Sequence, residues 1–225
     1  MLEGSRRLQE PLESYLRRLQ EAGLRSLPGT AAEILDDEVR AVICPDKITT
    51  DEWLEVHRTA HRVGLRSNVT MMFGSVEHPR HWVRHLLRTR ALQRETGGFT
   101  EFVGLPFVHM AAPIYLKRGA RRGPTWRETV LVHAVARIAY AHDIEHVQAS
   151  WVELGRVGAQ QLLASGVDDL GGTLMDENIS RAAGASHGQG LTPDDLADVA
   201  RAAGRPLRQR TTLYGRVPDA VGVPA

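Results

Sequence analysis

The feature that most constrains the fold is a repeated cycle: a helical stretch, a Gly-Leu or Ala-Gly ending, a short apolar run, then a cluster of Gly, Pro or Thr. The first cycle runs from a helix over Glu13 to Ala22, through Gly23, to the apolar run Leu24-Arg25-Ser26-Leu27 and the loop Pro28-Gly29-Thr30. Gly23 suits the left-handed position just past a helix end. The second opens at Thr49 and Glu52, which have capping-box spacing, with Trp53, Val56, Ala60 and Val63 at helical intervals. Gly64 ends that helix, and a strand over Arg66 to Met72 leads into Phe73-Gly74-Ser75. Pro79 fits a first helical turn, so a third helix is expected from there to Glu95, with a strand from Phe99 to Leu105. The fourth cycle predicts a helix over Arg127 to Ala141, a strand over Val147 to Val152 and a helix over Gly158 to Ser165. A last strand, Asp168 to Leu174, precedes helices near Asn178 and from Thr192 to Ala203.

Strands alternating with amphipathic helices predict a parallel sheet with right-handed crossovers. About five strands are expected, whereas a closed eight-stranded barrel usually takes roughly 250 residues. With 225 residues the chain is either an open α/β sheet or part of a barrel. Residues 1–215 read as one domain, and residues 216–225, rich in Pro, Gly and Val, as a frayed tail. A composition of 42% hydrophobic and 24% charged residues supports a single core rather than disorder. The net charge of +1 gives no electrostatic case for nucleic acid or an anionic membrane. The charged opening and the lack of any membrane-length apolar run predict a cytoplasmic location. Cys44 is the only cysteine, so a multi-cysteine metal site cannot come from this chain alone.

In parallel α/β folds the ligand site forms at the C-terminal ends of the strands. Four loops there carry candidates. Pro28 to Glu33 sets small residues before a carboxylate at an expected helix start, where Glu33 and nearby amides either hold an anionic group or complement a helix dipole. Thr70, Met72, Gly74 and Glu77 follow the second strand, and Gly74 permits close backbone approach. Pro106 and Phe107 end the third strand, where an aromatic ring can line a pocket. Gln148 and Ser150 are expected on one face of the fourth strand, and Thr173, Asp176 and Glu177 follow the fifth, to bind a hydroxylated chain or to cap the next helix. The section from Phe107 through Pro113 to Pro124 is a candidate lid or binding loop, with a basic patch at Lys117, Arg118, Arg121 and Arg122. The pairs His57/His61 and His81/His85 are four apart on helices and read as solvated faces, and no metal site is assigned. Cys44, before Pro45, reads as structural.

The blocks PGTAAEIL, CPDKITTDEW, ETGGFTEFVGLPF, HAVARI, SWVELG, DDLGGTLMDENIS and AGRPLRQRTTLYG together resemble the radical-SAM family of 7,8-didemethyl-8-hydroxy-5-deazariboflavin synthase. The resemblance covers nearly the whole chain and lies with the half that joins L-tyrosine to 5-amino-6-(D-ribitylamino)uracil; the wider group includes aminofutalosine synthase. It implies an incomplete (β/α) barrel whose first strands lie outside this sequence. It also implies a 4Fe-4S cluster on a CxxxCxxC motif that cleaves S-adenosylmethionine, in a transferase of deazaflavin coenzyme biosynthesis.

By the same resemblance Thr70 to Glu77 lies near S-adenosylmethionine, although Thr70 stands where the family pattern has glycine. Glu33, Thr70, Met72, Gly74, Glu77 and Pro106 are the cofactor-side candidates; Phe107, Gln148, Ser150, Thr173, Asp176 and Glu177 are the substrate-side ones. No catalytic residue is assigned. Three thiolates are needed for such a cluster and Cys44 is one, so the chain is expected to be inactive alone. Its expected partners are the remaining part of the barrel or the cyclising domain. The alternatives are part of an aminofutalosine synthase, or a non-catalytic binding protein of the same fold.

Overall fold

The computed structural model describes residues 1–174 and 176–217. The elements are, in order, α1 (Leu2–Arg7), α2 (Leu12–Glu21), β1 (Ser26–Leu27), α3 (Asp37–Ile43), α4 (Thr50–Arg62), β2 (Arg66–Phe73), α5 (Pro79–Thr96), β3 (Phe99–Pro106), α6 (Pro113–Leu116), α7 (Trp126–Tyr140), β4 (His146–Ala149), α8 (Trp151–Leu162), α9 (Ile179–Ala182) and α10 (Pro193–Ala202). The strands form one parallel sheet in the order β1-β2-β3-β4. Side-chain caps fix where the long helices begin. Capping boxes close α4 at Thr49 and Glu52, α7 at Thr125 and Glu128, and α10 at Thr192 and Asp195. Gly97, in the left-handed region, stops α5.

The period-2 alternation of the strands separates two faces. Val69, Met71 and Phe73 of β2, Phe99 and Phe102 of β3, and Val147 and Ala149 of β4 turn to the helices and are buried with Trp53, Trp82, Leu86, Val132 and Tyr140, a register shift opposite Ser67 and Val69 letting Phe99 and Phe102 share that face. Phe102 packs on Tyr140 at 5.5 Å between ring centres. Asn68, Thr70 and Met72, then Glu101, Val103 and Leu105, then His146 and Gln148 alternate with these and take the opposite face. Residues 205–216 cross that face: Tyr214 stacks flat on His146 with ring centres 3.7 Å apart. Among the described helices none is long and apolar enough to cross a membrane.

Several expectations change. The fifth strand is reduced to one parallel bridge, Gln148 to Asp169, because Gly171 and Gly172 leave the ladder after one residue. The fourth strand stops at Ala149, and Trp151 already begins α8. Residues 2–7 form a helix that the charged opening concealed. His57, His81 and His85 face the interior, not solvent, since Glu55, Arg62, Arg80 and Arg84 fill the outward positions of α4 and α5. Of the expected tail, residues 218–225 lie outside the described residues, and Arg216 pairs with Arg210 in an antiparallel bridge.

Candidate functional site

The loops at the C-terminal ends of the strands are held largely by the chain's own side chains. After β1, Gly29 lies against β2: its N–H is bound by the Asn68 side chain, and its carbonyl accepts from Thr70 Oγ1 at 2.6 Å. Glu33 is not at a helix start; it precedes α3 by four residues in a left-handed conformation, and its carboxylate meets Lys47 Nζ at 2.5 Å. The Glu33 carbonyl accepts the Met72 N–H at 2.7 Å, so Glu33, Thr70 and Met72 form one neighbourhood.

After β2, Gly74 has φ +97°, and a Cβ there would lie 2.3 Å from the backbone nitrogen of Pro124. Glycine is therefore required for the approach of the chain's own lid. Glu77 closes the turn. Its buried carboxylate accepts the Gly74 N–H, the Ser75 N–H at 2.9 Å, the Ser75 hydroxyl at 3.0 Å and the Trp82 indole N–H at 3.0 Å, with Arg121 at 3.6 Å. Burial pulls its pKa up, but these donors win and hold it below the usual carboxylate range. After Pro106 the Phe107 N–H returns to the Phe73 carbonyl at 2.8 Å.

The expected lid contains α6. Ala111 N–H donates to the Ala183 carbonyl at 2.9 Å, and Gly184, with φ +106°, abuts Met110. The lid after β3 thus meets the loop that carries α9. Of its basic residues, Arg121 pairs with Glu128 at 2.7 Å.

On the strand side, Gln148 occupies the face away from the helices and lies against Gly171. Ser150 does not share that face; it is the N-cap residue of α8. The Thr173 carbonyl accepts the Leu191 N–H at 2.8 Å. Asp176 accepts from Asn178 at 2.7 Å and from the Gln189 amide. Glu177 accepts the Ile179 and Ser180 N–H groups at 2.9 Å and so caps α9, one of the two roles its loop left open.

The candidates therefore divide. Glu33, Thr70 and Met72 cluster at the ends of β1 and β2; Gly74, Glu77, Pro106 and Phe107 lie where the 107–124 segment meets the end of β2. Gln148 and Thr173 line a cavity of about 1020 Å³, together with Glu101, His146, Gly171, Gly172 and the 205–214 segment.

That cavity also contains a group that reasoning from the strand-end loops did not bring together. Asp169, 8% exposed, accepts from the Arg210 guanidinium, from the Tyr214 hydroxyl at 2.6 Å and from the Gly171 N–H at 2.5 Å. Burial, with Asp169 beside it, pushes the Tyr214 phenol up. Burial also raises the Glu101 carboxyl, against the hydrogen bonds from Thr100 and Asn68 and the charge of Arg210. The signal was present: Glu101 is the one acid in the run Phe99 to Pro106, at an alternate position. A second missed acid is Glu153 in the first turn of α8, raised by burial, with one oxygen taking the Ser180 hydroxyl at 3.1 Å and the other without a partner.

Outside the sheet, Asp36, Glu38 and His81 come close enough to share a cation. Asp36 is already paired with Arg84 at 2.9 Å, and Arg88 lies 3.9 Å away, a poor environment for a metal. Cys44 is buried just past the end of α3, where its carbonyl accepts the Lys47 N–H at 3.0 Å. A single thiolate there does not fit a 4Fe-4S cluster, which needs three.

Residues 96–221 match the family described as CofH/MqnC C-terminal region. The chain is 54% identical over 217 residues to "FO synthase" of Nocardia farcinica, covering 96% of the chain and 25% of that protein. It is 55% identical over 203 residues to "FO synthase" of Mycobacterium tuberculosis (strain H37Rv), covering 90% and 24%. It is 53% identical over 205 residues to the "5-amino-6-(D-ribitylamino)uracil--L-tyrosine 4-hydroxyphenyl transferase" of Methanopyrus kandleri, covering 91% of the chain and 56% of the relative. The chain spans about a quarter of the length of the first two and just over half of the third. With its parallel strands, crossover helices and sequence match in agreement, the chain belongs to the CofH/MqnC C-terminal-region family.

Proposed function

We propose that this chain supplies the substrate-facing strands of a radical-SAM transferase that joins the 4-hydroxybenzyl fragment of L-tyrosine to 5-amino-6-(D-ribitylamino)uracil in deazaflavin coenzyme biosynthesis. The observation that carries the reading is the identity to the Methanopyrus kandleri relative, whose name contains both substrates. The polar cavity beside β4 supports it. Gln148 and Thr173 can each donate and accept hydrogen bonds, which suits a ribityl chain or the edge of a uracil. Phe107, Ser150, Asp176 and Glu177 complete the substrate side, the last two by shaping the loop around α9. Glu33, Thr70, Met72, Gly74, Glu77 and Pro106 form the cofactor side, with Glu77 holding the turn in shape, since its oxygens are already occupied. The cluster's cysteines do not fit this chain, and no reaction step is derived through the cluster. It is supplied from outside these residues, and the chain alone is inactive.

The test combines this chain with a separately produced cluster-bearing portion of the Methanopyrus kandleri relative. S-adenosylmethionine and either tyrosine plus the ribityl uracil or an enolpyruvyl benzoate are then supplied. Deoxyadenosine and a coupled product with the first pair alone support the proposal; turnover of the second alone assigns the chain to the aminofutalosine branch. Gln148→Ala is expected to raise KM for the uracil about tenfold, the loss of one or two hydrogen bonds, with little change in melting temperature.

A further inference from the structure

Half of the Glu153 carboxyl is used by the fold and half is not. Glu153 stands in the first turn of α8, four residues beyond the end of β4, on the side of the sheet where parallel α/β folds hold their ligands. Gly155, with φ +67°, breaks the helix straight after that turn, and a Cβ there would lie 2.7 Å from His187 Nδ1. The loop carrying α9 is therefore held against the turn at two points, by His187 at Gly155 and by the Ser180 hydroxyl, which donates to Glu153 Oε1 at 3.1 Å. Oε2 is buried and has no hydrogen-bond partner among the described residues. Burial, with the Glu177 charge adding to it, pushes the carboxyl up, against the hydroxyls of Ser150 and Ser180. With Oε1 accepting from Ser180, the proton belongs on Oε2, which makes it a buried donor without an acceptor, a rare state in folded proteins.

We infer that Glu153 donates a hydrogen bond from Oε2 to an uncharged oxygen of the substrate, a hydroxyl or carbonyl of the ribityl uracil, and is a specificity-determining residue of the substrate side. The inference rests on the function proposed above. The neighbours select the ligand class. A ligand carboxylate would meet the charge of Glu177. An ammonium brings only donors to a group that itself donates, and the Glu177 carboxylate is already engaged by the Ile179 and Ser180 N–H groups. A hydroxyl or carbonyl oxygen accepts without adding charge. Bracing the α9 loop needs Oε1 alone, whereas an O–H left unsatisfied in the free chain costs stability and is the mark of a group kept for a ligand.

Calorimetric titration of the full chain with 5-amino-6-(D-ribitylamino)uracil, alongside thermal melting, tests this. Glu153→Leu is expected to weaken binding about tenfold, the loss of one hydrogen bond from a buried donor, while the melting temperature holds or rises because an unsatisfied polar group is removed. Glu153→Gln, which keeps a donor and an acceptor, should bind within about threefold of the parent. Titrations with 5,6-diaminouracil and with ribitol separate the two oxygens: the Glu153→Leu loss follows the ring if the partner is a carbonyl and the chain if it is a hydroxyl. Unchanged affinity in Glu153→Leu, or a loss confined to L-tyrosine, overturns the inference without touching the proposed function. So does a fall in melting temperature that Glu153→Gln shares, which marks a carboxyl kept for structure. A parent that does not bind the ribityl uracil overturns both. If Glu153→Leu fails to fold, Glu153→Asp decides: withdrawing the group by one methylene should also weaken binding about tenfold while Glu153→Gln retains it, and equal affinities overturn the inference.

Discussion

The two faces of the sheet differ in what holds them. On the helix side, Val69, Met71, Phe73, Phe102 and Val147 are fully buried among helix side chains, and the polar groups among them include His57, His85, His133, Thr89 and Gln93. On the other side Asn68 donates to Glu101, His146 stacks on Tyr214, and Arg210 and Tyr214 hold Asp169, so the 205–216 segment is tied to the sheet by hydrogen bonds and charge. Apolar burial stabilises without direction, whereas a polar face fixes orientation and can exchange its partners for those of a ligand. The difference teaches that apolar packing and directional polar contacts are kept on opposite sides of the same four strands.

The largest expected effect is that of acid on the helix side. Burial holds His57 and His85 down to about 3 and His61 to about 4. Above the ordinary histidine range the rings are neutral in both states. As pH falls below about 6.5 the unfolded chain binds protons that the folded chain refuses until its own lowered values are reached. Stability is therefore lost from about pH 6.5 down to about 4 for His61 and about 3 for His57 and His85, by up to about 1.4 kcal/mol per histidine per pH unit. Urea denaturation at pH 7, 5.5 and 4.5 checks this; flat stability across the window would break the account of that face.

Next in size, Phe102→Ala removes a fully buried ring and should cost about 3–5 kcal/mol by the same measurement. Arg210→Ala acts on the opposite face and leaves Asp169 and Glu101 buried without their cation. Arg210 is partly exposed, so a smaller loss of about 2 kcal/mol is expected, and it should shrink as the pH falls, since burial raises the Glu101 carboxyl. Smallest is Thr70→Val, which deletes the hydrogen bond to the Gly29 carbonyl for about 1 kcal/mol. Equal losses for Phe102→Ala and Thr70→Val would erase the distinction between the faces.

The helix side was legible in the sequence because its signals are local. The capping box at Thr49, Pro79 at a helix start and the alternation through β2 and β3 each depend on residues within one element. What escaped depends on contacts distant in sequence. Nothing near His57 or His61 announces that both reach Ser67 Oγ at 2.9 Å, so spacing alone suggested solvent. Nothing in residues 168–174 says that the ladder stops after Asp169. The site shows the same division. Strand-end positions such as Gln148 and Thr173, which line the cavity, were expected from topology, while Asp169, Arg210 and Tyr214 come together only when the C-terminal segment folds over the sheet. Gly74 was recognised as a position of close approach, but the partner, Pro124, is 50 residues away.

The central claim is that this chain brings the substrate-facing strands and must receive its cluster from elsewhere. Its most direct test is anaerobic reconstitution of the isolated chain with iron and sulfide, followed by electron paramagnetic resonance of the reduced sample. The account predicts no 4Fe-4S signal and no deoxyadenosine from S-adenosylmethionine. A reduced-cluster spectrum with four irons per chain, accompanied by deoxyadenosine release, would contradict it.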